Sequence, residues 1–292
     1  MNELYGAGVA LVTPFHSDGS IDFDGLARVI EHQINGGMDY LVSLGTTGET
    51  ATLTEEERKA VWKFTAEKVS GRVPLVAGIG GNNTAEVVRQ LHAFNHQDYA
   101  AILSVSPYYN KPTQKGIYKH YQAVAVASPL PVILYNVPGR TGSNISPETT
   151  VQLAREVDNI VATKEASGNF DQFSKIMYDK PEGFLLLSGD DPATLPMMAL
   201  GAVGTISVVA NAFPAEVAQL AKLCLENNYV EARKIHGKLI RMTELCFVEG
   251  NPAGVKEILR QLGMCGPTVR LPLVEASAPL TDAIRAELPF YS

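Results

Sequence analysis

Ile160-Val-Ala-Thr-Lys164 runs straight into Glu165-Ala-Ser-Gly168. The first five residues are apolar or branched up to a terminal lysine, the pattern of a parallel strand covered on both faces. The next four are small or charged and end on glycine, so the strand leaves the sheet there. The same pattern recurs at Gly8–Thr13, Tyr40–Leu44, Leu75–Ala77, Ala101–Val105, Val132–Tyr135, Phe184–Ser188 and Thr205–Val208. Longer amphipathic segments separate these runs, and several open on helix-start signals. Thr54-Glu-Glu-Glu57 has the form of a capping box, Asn83 or Thr84 precedes Ala-Glu-Val-Val-Arg-Gln-Leu91, and Ser146-Pro147 places proline at a first helical position.

Eight such strand–helix units predict an α/β fold, a TIM (β/α)8 barrel. A doubly wound open sheet shares the periodicity, but no dinucleotide fingerprint accompanies it. Gly78-Ile-Gly80-Gly81-Asn82 lacks both the third glycine and the Gly-Lys-Ser/Thr of a phosphate loop, and reads as a turn. After the eighth run the pattern changes to helices only: Ala215–Glu226, Tyr229–Cys246, Pro252–Leu262 and Ala276–Glu287. The first closes the eighth unit. The division is a catalytic barrel over 1–226 and a C-terminal helical region over 227–292, whose simplest role is packing or assembly.

Composition narrows the classes of function. The 292 residues are 46% hydrophobic with a net charge of −7 spread along the chain. That composition builds a full core and leaves no basic patch for nucleic acid. Cys224, Cys246 and Cys265 are far apart, which fits neither a disulfide framework nor a zinc site. No basic-then-apolar leader opens the chain and no apolar run approaches membrane-span length, so the expected location is cytoplasmic, away from membranes. His92 and His96 have i,i+4 spacing without an intervening glutamate and read as an outer-helix pair. Asp190-Asp191, before Pro192, reads as a helix cap with polar contacts at the mouth, and no metal is expected.

In a barrel the chemistry lies where the strands end, and the polar clusters fall there. They are Gly45-Thr-Thr-Gly-Glu49, Ser106-Pro-Tyr-Tyr-Asn110, Tyr135-Asn-Val-Pro-Gly-Arg-Thr-Gly142, Lys164-Glu-Ala-Ser-Gly168 and Ser188-Gly-Asp-Asp191. Lys164 closes a buried strand, where desolvation disfavours the charged amine and favours attack on a ketone. Taken alone, a strand-end lysine more often snorkels to solvent. Tyr135, on the neighbouring strand, supplies a phenol for the proton transfers that an imine requires. Thr46 and Thr47 offer hydroxyls and backbone N–H groups suited to a carboxylate, although an ordinary turn looks the same. Arg140 offers a planar fork for a second carboxylate, against the plainer reading of an exposed arginine. Tyr108 and Tyr109 sit between prolines; one ring is assigned to the site and the other to a contact surface.

Those five clusters, in that order, resemble the dihydrodipicolinate synthase family, and the resemblance covers essentially the whole chain. It implies condensation of pyruvate with L-aspartate-4-semialdehyde in lysine biosynthesis, in a homotetramer that is a dimer of tight dimers, without metal or organic cofactor. By the same resemblance Lys164 forms the pyruvate imine. Tyr135, Thr46 and Tyr109 make a proton relay, with Tyr109 coming from a neighbouring subunit. Thr47 binds the pyruvate carboxylate, Arg140 guides the semialdehyde, and the Ile206 carbonyl lines the pocket. An effector pocket for lysine would include Thr50, Ala51, Asn82, Glu86 and Tyr108. Glu55 and Arg58 stand where lysine-sensitive relatives often carry histidine, so weak or absent feedback is expected. N-acetylneuraminate lyase resembles the chain too, but it typically has serine at Thr46 and no equivalent of Arg140. A barrel that binds a keto acid without turning it over is the non-enzymatic alternative.

Overall fold

Gly6 and Gly204 meet across the first and last strands, so closely that a Cβ on Gly204 would lie 2.1 Å from the Gly6 carbonyl oxygen. That approach joins the two ends of the sheet. In the computed structural model, which describes residues 2–291, eight parallel strands form a closed barrel in sequence order. They are β1 Gly6–Ala10, β2 Tyr40–Ser43, β3 Leu75–Gly78, β4 Ala101–Val105, β5 Val132–Asn136, β6 Ile160–Glu165, β7 Leu185–Ser188 and β8 Gly204–Ser207. Successive side chains alternate between two cores. Ala10, Val42, Val76, Leu103, Ile133, Ala162, Leu187 and Ile206 fill the interior. Val9, Leu41, Ala77, Ile102, Leu134 and Leu186 pack beneath the outer helices.

The barrel floor is plugged. The Tyr40 ring lies against Gly8, where a Cβ would come within 2.2 Å of it, and its hydroxyl donates to the Thr205 carbonyl at 3.0 Å. Burial holds that phenol well above its ordinary pKa, so the hydroxyl stays a donor. Access is therefore from the C-terminal ends of the strands.

Helix starts follow the sequence signals. Thr54 accepts from Glu57 N–H while the Glu57 side chain accepts from Thr54 N–H, opening the helix Glu55–Val69. Asn83 caps Thr84–Ala93, and Ser146 caps Pro147–Glu156. Two expectations fail. The first strand begins two residues early, at Gly6, and stops at Ala10; the backbone of Val12 turns instead to the Asn211 side chain, and the Thr13 hydroxyl to the Gly48 carbonyl. Glycine's low strand propensity hides a start that only pairing with β8 dictates. The pair His92 and His96 does not share a helix. Phe94 leaves the helical region to pack edge-on against Trp62 and Tyr99, at 4.9 and 5.1 Å between centroids, and His96 falls in the turn beyond.

Past the outer helix Pro214–Leu225, three helices follow at Tyr229–Phe247, Ala253–Gln261 and Ala278–Glu287. Residues Ala253 to Leu259 of the middle one are buried on every face. The chain then returns to the barrel mouth through Thr268 and Arg270, whose backbone groups meet Lys256 and Glu49.

Candidate active site

Register sets the central pair. Tyr135 on β5 lies directly beside Lys164 on β6. Both are buried, at 6% and 4% exposure, and the Lys164 Nζ sits 4.2 Å from the centre of the Tyr135 ring. The lysine therefore does not snorkel. Ile206 is buried on the inward face of β8.

Strand β2 is four places from β6 around an eight-strand ring, so its terminal turn faces Lys164 across the mouth. There Thr46–Gly48 forms one tight 3-10 turn with Thr46 half-buried and Thr47 buried. The Thr47 hydroxyl accepts from the Asn251 side-chain amide at 3.0 Å. Glu49, in the left-handed region at φ 52°, ends the turn. Its carboxylate takes the Lys256 ammonium at 2.5 Å and the Arg270 backbone N–H at 2.9 Å. Lys256 is completely buried, lies 4.2 Å from the centre of the Phe15 ring and also donates to the Thr268 carbonyl. Burial pushes the Lys256 pKa down, against the upward pull of Glu49. The Arg270 fork closes on both oxygens of Glu57 and holds that carboxyl at about 2. The hydroxyl turn is thus braced by residues two hundred positions away. Sequence reading missed Asn251, Lys256 and Arg270; Lys256 stands next to Glu257 in a helix that also carries Arg260 and Gln261, so no local pattern marks it as buried.

Glu165 points away from Lys164, outward between barrel and helices, and is only 3% exposed. It accepts from the Asn136 amide at 3.0 and 3.2 Å, the Gln172 amide at 3.0 Å and Ser167 N–H at 2.8 Å. Asn136 also donates to Asn144 and accepts from Ile145 N–H. This network ties the ends of β5 and β6 to the loop that carries Arg140. That arginine is exposed in the short helical turn Pro138–Thr141, and its guanidinium has no partner among the described residues.

Asp190 and Asp191 do not cap the following turn through their side chains. Asp191 reaches across to the turn that follows β8, accepting from Val208 and Val209 N–H at 3.0 Å each. Burial raises its pKa, while Ser207, those N–H groups and the Lys164 charge pull the other way. No cluster of three or more His, Cys, Asp or Glu among the described residues has metal-site geometry.

Tyr109 is not drawn into its own mouth: it is 88% exposed, at φ 71°, with its N–H on the Thr141 carbonyl. Tyr108 is 40% exposed. Nearby, the Thr50 hydroxyl is taken up by the Leu44 and Gly45 carbonyls, Ala51 is exposed, and the Asn82 carbonyl accepts from Asn110. Glu86 is clamped by Arg89, which also binds Glu55 at 2.9 Å. Arg89 and Gln90 hold Glu86 at about 2, with a smaller contribution from Arg58. Arg58 itself donates to the Leu53 carbonyl at 2.8 Å.

Comparison with known proteins gives a single answer. The model of the dihydrodipicolinate synthetase family matches residues 3–289. A 4-hydroxy-tetrahydrodipicolinate synthase of Parabacteroides distasonis is 50% identical over 285 residues, 98% of this chain and 96% of its own. The crystal structure of dihydrodipicolinate synthase from Aquifex aeolicus superposes with a TM-score of 0.95 at 43% identity, covering 99% of this chain and 98% of that one. The enzyme from Cyanidioschyzon merolae, solved with lysine bound, gives 0.93 at 38% identity, with 98% of both chains covered.

Proposed function

The chain belongs to the dihydrodipicolinate synthetase family, and we propose that Lys164 is the amine on which it holds pyruvate as an imine. The activity is that of a 4-hydroxy-tetrahydrodipicolinate synthase, a lyase on the diaminopimelate route to lysine that condenses pyruvate with L-aspartate-4-semialdehyde. The observation that carries the role of Lys164 is its buried Nζ over the Tyr135 ring, opposite a turn of hydroxyls.

Thr47 and the N–H groups of its turn hold the pyruvate carboxylate, so the C2 carbonyl lies toward Lys164. The uncharged amine adds to C2, and the carbinolamine loses water as a proton reaches its oxygen through Tyr135 and Thr46. Loss of a methyl proton gives the enamine, which attacks the aldehyde carbon of the second substrate while Arg140 binds its carboxylate. The substrate's own amine then displaces Lys164 from C2, closing the ring and freeing the enzyme. Ile206 lines the pocket through its carbonyl. Residues 1–226 form the catalytic barrel, and 227–292 the helical region that braces its mouth.

Tyr109 completes the relay from a neighbouring copy of the chain, a role supported by its exposure on its own. The assembly is a homotetramer built from tight dimers, checked by light scattering. A cytoplasmic location is in keeping with three unpaired cysteines and with the lack, among described residues, of a helix long and apolar enough to cross a membrane. Thr50, Ala51, Asn82, Glu86 and Tyr108 form an effector pocket with weak response to lysine, because Arg89 already occupies the carboxylate that would take the effector's ammonium. Inhibition by low-micromolar lysine in a steady-state assay would contradict that.

Borohydride reduction with pyruvate tests the main assignment. It should add a reduced pyruvyl group at Lys164 in the native chain and none in Lys164→Ala, which also loses turnover. Arg140→Ala should keep trapping but lose turnover of the semialdehyde by about a hundredfold. Equal trapping in Lys164→Ala removes the assignment.

A further inference from the structure

Gly189 follows β7 directly, and its N–H is fixed to the Glu165 carbonyl at 2.8 Å. It does not have a positive φ, so its backbone accommodates an L side chain without strain. What a side chain would meet is the catalytic amine's stem. A Cβ on Gly189 would lie 2.8 Å from Lys164 Cε, 2.9 Å from Lys164 Cγ and 2.9 Å from Ala166 Cβ. We propose that Gly189 is a positioning residue for the imine-forming lysine: the space left by its missing side chain is the groove in which the Lys164 chain lies, and this fixes Nζ above Tyr135. The inference rests on the assignment of Lys164 made above.

Other inward glycines act differently. At Gly204 and Gly78 an added Cβ would strike backbone, at 2.1 Å from the Gly6 and Leu44 carbonyl oxygens, so the barrel itself would have to move. At Gly189 two of the three atoms in the way belong to a flexible side chain. The low-cost relief is rotation of Lys164, which leaves the fold intact and takes the amine out of line. Activity and stability should therefore separate at this position.

Full-length native chain, Gly189→Ala, Gly189→Ala with Ala166→Gly, and Gly204→Ala are compared by melting temperature, borohydride trapping of pyruvate on Lys164, and steady-state turnover. Gly189→Ala should melt near the native chain yet trap and turn over about a hundredfold more slowly, the scale of loss for a reactive group displaced by an ångström. The KM for the semialdehyde should stay put, since Arg140 and its loop are untouched. Gly204→Ala should lose melting temperature first. Should Ala166 be the obstacle to folding, the double variant restores melting while trapping stays slow. Trapping within about threefold of native in either folded protein that carries Gly189→Ala overturns the inference, as does failure of both to fold. A native chain that does not trap pyruvate on Lys164 removes the underlying assignment; native trapping matched by the variants removes this proposal alone.

Discussion

Lys164 and Lys256 are both buried lysines, yet only one was visible as functional from its residue type and position. Lys164 ends a strand run and stands next to a tyrosine in the adjoining run, both local features. Lys256 gains meaning only from Glu49, 207 positions away. Gly189 matters through an atom it lacks, which no motif records. The Lys256–Glu49 pair makes a stability prediction. Lys256→Met fills a similar volume but leaves the Glu49 carboxylate buried with only the Arg270 N–H, and breaking such a pair from one side costs about 3–5 kcal/mol. Urea denaturation should show that loss, with pyruvate trapping falling as the Thr46–Thr47 turn loosens. A change under about 1 kcal/mol would mean that water replaces the ammonium without penalty.

At the level of elements, the strand runs and capped helices were legible because they depend on neighbours in sequence: a Thr–Glu capping box, a Ser-Pro start, branched residues in series. What escaped were boundaries and connections that depend on distant partners. The first strand starts at Gly6 because β8 lies beside it, and the helix from Thr84 stops where Phe94 finds Trp62. The network around Glu165 is another such connection, since its members lie on β5, β6, the loop between Thr141 and Ile145, and the helix Phe170–Asp179. Glu165→Gln keeps the shape but offers a donor where only donors arrive, leaving at least one buried group unsatisfied at about 1–3 kcal/mol. Because the network holds the Arg140 loop and not the Lys164 side chain, KM for the semialdehyde should rise about tenfold while pyruvate trapping persists. Equal loss of both would place Glu165 in the support of Lys164 instead.

For the whole molecule, closure of the barrel was implied by eight runs and the lack of a nucleotide fingerprint, whereas the return of residues 251–270 to the mouth was not, because no local pattern encodes a contact across two hundred positions. A global consequence follows from how charges are held. Arg72, Arg89 and Arg270 keep Glu31, Glu55, Glu57 and Glu86 at about 2. Groups depressed in the folded state stabilise it above the unfolded carboxylate value and lose that contribution as pH falls from about 4.5 toward 2. His120 works over a different window. It is buried on the helix Gln114–Ala127, bonded through Nδ1 to the Thr84 hydroxyl at 2.9 Å, and burial pushes it down to about 4. Between about 6.5 and 4 the unfolded chain binds this proton and the folded chain resists it, so stability falls with pH by up to about 3 kcal/mol, largely before the carboxylates titrate. Melting temperature followed from pH 8 to 3 should decline in two steps in the native chain. In His120→Gln, which keeps a polar partner for Thr84, the upper step should shrink to the smaller part left by His236, whose pKa burial also lowers, while the lower one remains. Parallel curves for the two proteins would show that the early loss of stability begins somewhere other than this histidine.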